Sequence, residues 1–154
     1  MKPVLYFRPA QPADGPALAR CLRAADRREL AASHPGQSPA ECLEHFICIS
    51  VCRVCGVYRG KVIALAGVYA SSLLGTDACV WLLTGSPVTR VPISFVRSAK
   101  RWLAAWLQLY PTLTNAVDAR YEAARKLITC LGGEFTGRSS VYNGVLFLHF
   151  IFRR

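Results

Sequence analysis

TLTNAVDARYEAARKLITCLGGEF, residues 112–135, is the stretch that decides the architecture of this chain. An apolar run follows Pro111 and reads as a strand. Asp118 then stands where a helix N-cap belongs, because its carboxylate can accept from amides that a first helical turn leaves unpaired. Glu122 lies early in the helical pattern, where the helix dipole favours an anion, and Arg125 and Lys126 lie further on. Ala123, Ala124, Leu127, Ile128 and Leu131 recur at steps of three and four, which gives the helix one apolar face. Gly132 can take the left-handed conformation that ends a helix. The unit reads as strand, capped helix, glycine stop, strand.

Working outward, a strand is expected over 133–138 and a last one over 141–154, whose VLFLHFIF segment reads as buried. Upstream, residues 91–110 carry Phe95, Ala99, Trp102, Leu103, Trp106 and Leu107 at helical spacing, with Arg97, Lys100 and Arg101 facing outward. Gly85-Ser86-Pro87 separates this helix from a strand over 77–84. Arg59-Gly60 joins strands over 50–58 and 61–70 into a hairpin. Ser38-Pro39-Ala40-Glu41 is a capping box that launches a helix through Glu44, His45 and Ile47. Near the start, residues 6–9 read as a short strand. A helix capped by Asp14 follows, burying Leu18, Cys21, Leu22 and Ala25, and a second short helix covers 26–32. The order predicts one α/β layer over residues 1–154, a mixed sheet with helices on both faces.

Composition bounds the function. The chain has 154 residues, enough for one core of its own. No apolar run reaches the ~18 residues of a membrane span, and the opening residues form no secretory signal. Nineteen Lys and Arg against nine acids give a net charge of +10. Such an excess favours nucleic acid, an anionic surface or a phosphate-bearing cofactor, or it is simply a solvated surface. The apolar share of 53% is high and points to a large core or a face covered by a partner. Seven cysteines, an odd number, argue for reduced thiols in a cytosolic setting.

Cys42, Cys48, Cys52 and Cys55 with His45 nearby invite a zinc test. One Cys52-x-x-Cys55 pair without a second is weak, and on a strand the two thiols point to opposite faces. Small core residues are the better reading, and no metal is assigned. His45 falls in a helical register that suits a partly buried packing histidine, and His149 in an apolar strand suits a satisfied core histidine. The Trp102, Trp106 and Tyr110 stripe has the spacing of core packing.

The 112–135 unit resembles the closing strand–helix of the GNAT acyltransferase fold, V-(D/E)-x-x-N-x-x-A-x-x-L-Y-x-x-x-G-F, with Val117, Asp118, Ala124, Leu127 and Gly132 in register. Tyr121 replaces the usual asparagine and Ile128 the usual tyrosine. The opening FRPAQPADGPALARCL is similar to the first strand and helix of the same fold. The resemblance implies a single GNAT-like domain, with a mostly antiparallel sheet of six to seven strands. It also implies N-acyl transfer from acetyl-CoA or another acyl-CoA. Acyl-CoA would bind along Leu82, Leu83 and Thr84, with Asn115 and Tyr121 lining the split between the fourth and fifth strands. The phosphate loop R/Q-x-x-G-x-G/A is absent from TGSPVTRVPI, so Arg90 or Arg97 would supply the positive charge. Glu41 and Tyr121 are the catalytic candidates.

A narrower resemblance is to the internal virion protein A family of short-tailed bacteriophages. It rests on the early R-P segment, Pro39-Ala40-Glu41-Cys42, the stretch from Trp81 to Thr84 and Leu131-Gly132-Gly133-Glu134-Phe135. It implies a protein of the infected host's cytoplasm or of the virion, with a host or virion protein as partner. A non-catalytic assembly or host-binding module on the same scaffold, and a basic nucleic-acid binder, are the alternative functions.

Overall fold

The computed structural model describes residues 4–71 and 76–154. In chain order the elements are β1 (Tyr6–Pro9), α1 (Asp14–Ala19), α2 (Ala24–Ser33), α3 (Pro39–Ile49), β2 (Cys52–Tyr58), β3 (Lys61–Ala70) and β4 (Asp77–Thr84). A 3-10 turn (Ser86–Arg90) leads to α4 (Pro92–Leu109), β5 (Thr112–Asp118), α5 (Glu122–Cys130), β6 (Glu134–Tyr142) and β7 (Val145–Arg153). The seven strands form one sheet in the order β1-β2-β3-β4-β5-β7-β6. Every pairing is antiparallel except β4 with β5. The α/β layer and the strand count are as the sequence predicts. No described helix is long and apolar enough to cross a membrane.

Local chemistry explains most boundaries. Ser38 Oγ accepts from the Glu41 amide at 3.1 Å and Pro39 opens α3, so the cap forms as expected. Glu41 itself is exposed. Three expectations need correcting. Asp14 does not cap α1 from outside. It lies in the first turn, and its carboxylate is taken by two bonds from Arg8 (both 2.8 Å) and one from the Gln11 amide (2.7 Å). α1 also stops at Ala19, and Cys21 to Arg23 run alongside the end of β4 instead of continuing a helix. Asp118 does not cap α5, which begins only at Glu122. Its carboxylate accepts from the Arg120 amide (2.9 Å) and from the Arg120 guanidinium (3.0 and 2.8 Å), so it closes the turn leaving β5.

The last hairpin differs too. The strand expected over 133–138 runs on to Tyr142, with a register shift between Phe135 and Ser139. The turn falls at Asn143-Gly144, with φ of 50° and 76°. Two consecutive positive φ values make the turn that matches the twist of paired strands, which is why Asn-Gly favours it.

The core has two faces. α1, α2 and α3 cover one side of β2–β4, burying Leu18, Leu43, Ile47 and Leu65 against Trp81 and Leu83. α4 and α5 cover the other side, where Leu113, Val117, Phe150 and Phe152 meet Leu103 and Trp106. Each such side chain contributes about 1.5–3 kcal/mol when fully buried. Cys55 belongs to the first cluster and Cys52 packs against the second, on opposite faces as strand alternation requires. His45 is exposed rather than packed, and His149 is half-buried with its Nε2 2.6 Å from Ser140 Oγ, a rim position and not a core one.

Candidate active site at a split in the sheet

β4 and β5 pair only over Asp77–Cys79 and Thr112–Thr114, and then diverge. Asn115 marks the fork. Its Nδ2 donates to the Val80 carbonyl (2.7 Å) and its Oδ1 accepts from the Ala116 amide (2.7 Å), so a side chain takes the place of the next ladder rung. Beyond it a cleft of about 530 Å³ passes through the sheet. On one side it is lined by α4 and α5 through Phe95, Ala124 and Leu127. On the other it is lined by α2 with Phe46, Tyr69 and Trp81.

Parity along β4 decides which main-chain groups face the cleft. The Gly85 amide donates to the Ile63 carbonyl and the Asp77 carbonyl accepts from the Ser71 amide, so the odd-numbered residues of β4 bond to β3. Even-numbered residues face the split. The Val80 carbonyl is taken by Asn115 and the Thr84 carbonyl by the Arg23 amide (3.0 Å). The Leu82 amide and carbonyl face the split with no strand opposite. An extended ligand arm therefore has one free rung at Leu82, while the main chain of Leu83 is turned into the β3–β4 ladder.

Phosphates fit less well. The Gly85 amide is spent on Ile63, the Ser86 amide donates to the Cys21 carbonyl (2.8 Å), and Pro87 has no amide. The turn that would cradle a pyrophosphate offers few free donors. Arg90 and Arg97 are exposed near the start of α4, outside the cleft lining. Glu41 is also outside the lining, whereas Asn115, Tyr121, Leu82, Leu83 and Thr84 all belong to it.

α2 brings two carboxylates that no motif in the sequence marks. Asp26 is buried, and its Oδ2 accepts from both Thr84 Oγ1 and the Tyr121 hydroxyl (2.9 Å each). It thereby ties β4 to the start of α5 across the split. Burial raises its pKa above the ordinary value, against the two hydrogen bonds. Glu29 is half-buried one turn on, and its Oε2 accepts from the Asp118 amide (3.1 Å). Burial pushes its carboxyl up to about 7, helped by the nearby charges of Asp26 and Asp118 and opposed by that amide. No buried side-chain oxygen or nitrogen among the described residues lacks a partner. Glu29 Oε1 has no partner among the described residues, so it is not fully buried, and Glu29 lines the cleft. Burial likewise pushes the Tyr121 hydroxyl up to about 12. The Arg23 guanidinium lies over the Tyr121 ring, 5.8 Å from its centroid.

The missed signal was legible. Asp26 and Glu29 share an i, i+3 stripe with Leu30 and Ser33, while Arg27 and Arg28 face away. Acids on the apolar side of a helix are costly unless a site uses them.

No profile of a known protein family matches the sequence, and no curated protein matches it. Solved structures do. An N-acetyltransferase from Staphylococcus aureus Mu50 superposes with a TM-score of 0.74 at 15% identity, covering 97% of this chain and 98% of that one. A ribosomal-protein-alanine N-acetyltransferase from Brucella melitensis gives 0.73 at 17%, covering 97% and 99%. A Salmonella typhimurium protein solved with its cofactor acetyl-CoA gives 0.72 at 12%, covering 97% and 94%. At such identities the likeness establishes architecture alone, and that architecture is the GNAT fold.

Proposed function

We propose that the chain is an acyl-CoA-dependent N-acyltransferase in which Glu29 is the general base. The observation that carries this reading is the placement of Glu29, with a pKa near 7 and a free oxygen, in the same cleft as the unpaired Leu82 rung. A base is most effective when its pKa lies near the working pH. The thioester arm lies along β4 at Leu82 from the α4–α5 side, and Arg90 and Arg97 meet its phosphates. The amine enters from the α2 side. Entering as an ammonium, it gives one proton to Glu29 Oε1; the neutral nitrogen then bonds to the acyl carbon as the carbon–sulfur bond breaks, and the departing thiolate takes the nitrogen's second proton through water. Glu41 is exposed and away from this cleft, so the base role passes to Glu29. Tyr121 is a positioning residue, since its proton is held by Asp26 and a hydroxyl near 12 is a poor donor to a thiolate.

Acetylation of an amine panel with acetyl-CoA tests this. Glu29→Gln should lower kcat by about 10²–10⁴-fold with little change in KM for acetyl-CoA, and the wild-type rate should fall below pH 7. Undiminished turnover in Glu29→Gln would remove the base assignment.

A second reading is a non-catalytic protein on this scaffold, an internal-virion or host-binding component of a short-tailed phage as the motif resemblance implies. One observation favours it: the amides of Gly85 and Ser86 are already spent where phosphates would bind. Calorimetric titration separates the two, because absence of heat up to millimolar CoA selects the scaffold. Nucleic-acid binding rests on net charge alone and requires affinity that falls as salt rises.

A further inference from the structure

The mouth on the α2 side of the cleft differs from the rest of the molecule in charge and in chemistry. Of the nineteen Lys and Arg residues, only Arg23 is among the described residues lining the cleft, and its guanidinium lies on the Tyr121 ring. Asp26 and Glu29 line it as well. A protein of net charge +10 therefore places two carboxylates against one cation at this opening. The wall facing them is aromatic. Phe46 and Trp81 lie with centroids 5.4 Å apart, His34 meets Phe46 edge-on at 5.2 Å, and Tyr69 continues the surface. Burial lowers the His34 pKa, so its ring adds no charge at neutral pH. Trp81 is held in orientation by its Nε1 bond to Ser50 Oγ (2.8 Å).

We infer that the acceptor is a small primary amine carrying an aromatic or other apolar group, its ammonium drawn to Glu29 and its apolar part laid on Phe46 and Trp81. This rests on the acyl-transfer reading of the cleft and adds the substrate class. The physical basis is twofold. An ammonium is attracted to Glu29 and to the faces of aromatic rings, whereas an anionic acceptor meets Glu29 at close range with the buried Asp26 behind it. The basic outer surface acts over distances that physiological salt screens within about 8 Å, so the nearby carboxylates set the preference inside the cleft. Selectivity for a cation thus runs against the net charge of the protein.

Binding is measured by calorimetry at pH 8 and 0.15 M salt, with no acyl donor present. The probes are 2-phenylethylamine, 3-phenylpropionate with similar shape and opposite charge, and ethanolamine with the amine and no ring. The expected order is 2-phenylethylamine at least tenfold tighter than either of the others. Glu29→Gln should remove the preference over phenylpropionate and keep the ring contribution. His34→Ala should weaken phenylethylamine severalfold without touching Glu29, and circular dichroism establishes that both variants are folded. Equal affinity for amine and carboxylate, or for ethanolamine and phenylethylamine, overturns the inference. Amine binding in the expected order without acetyl transfer refutes the acyltransferase reading and leaves the ligand class standing. Transfer to ethanolamine and phenylethylamine at equal efficiency refutes the class and leaves the reaction.

Discussion

Glu29→Gln should stabilise the protein while, on the acyl-transfer reading, removing its base. Glu29 titrates near 7 in the folded chain against an ordinary 4.5, chiefly because burial disfavours its charge. A carboxyl that holds its proton more tightly when folded weakens the fold as the pH rises. The loss begins near 4.5, grows to about 7 and is complete above that. A shift of this size corresponds to about 3 kcal/mol in full. Glutamine keeps the shape and can still accept from the Asp118 amide, so the variant escapes the penalty without losing that bond. The expected gain over wild type is roughly 1 kcal/mol at pH 5 and about 3 kcal/mol at pH 8. With a urea slope near 2 kcal/mol/M, the midpoint should move up by roughly 0.5 M at pH 5 and about 1.5 M at pH 8. Urea unfolding of both proteins at the two pH values is the assay. A shift equal at both pH values would mean that packing, not ionisation, separates them. No shift at pH 8 would mean that Glu29 is ionised at ordinary cost, and the argument for a base poised near neutrality would fail with it.

Tyr121→Phe leaves Thr84 as the remaining side-chain donor to Asp26. The cost should be about 1–3 kcal/mol, read as a lowered thermal midpoint. Gly67→Ala places a Cβ 2.6 Å from the Cys52 carbonyl oxygen and 2.9 Å from Trp81 Nε1. Overpacking of this kind costs about 1–3 kcal/mol, and displacement of Trp81 should appear in the near-ultraviolet circular dichroism. Asp14 behaves oppositely to Glu29, because its bonds from Arg8 and the Gln11 amide hold its carboxyl below the usual range despite burial. That stabilisation is present above pH 3.8 and lost as pH falls through the lower folded value. Asp14→Asn should therefore cost about 1–2 kcal/mol at neutral pH and converge on wild type in acid denaturation.

Residues with strong local chemistry were legible from sequence. Ser38-Pro39 opens its helix, β4 spans the residues read for it, and Gly132 ends α5 with φ of 92°. Asp14 and Asp118 sit beside helix starts and look like caps, yet each is claimed by an arginine that propensity cannot weigh. The Asn143-Gly144 turn carried a direct signal that the long VLFLHFIF run obscured. The resemblance puts Asn115 and Tyr121 at the split, and both line the cleft. Asp26 reads locally as the start of a helix, and neither it nor Glu29 stands out until the acids are set against the apolar stripe they share. Their partners, Thr84, Tyr121 and the Asp118 amide, lie 58, 95 and 89 residues away. Burial by segments so distant in sequence is what raises a pKa, and no local window contains it.

The fork at Asn115 has a kinetic consequence. On the acyl-transfer reading, a slot open through both faces of a sheet gives the two reactants separate doors, one past α4 and α5 and one past α2. Neither has to depart before the other arrives, so no acyl group needs to be parked on the protein between visits. Initial-rate lines for the two substrates should intersect, and a dead-end competitor at one door should leave the other open.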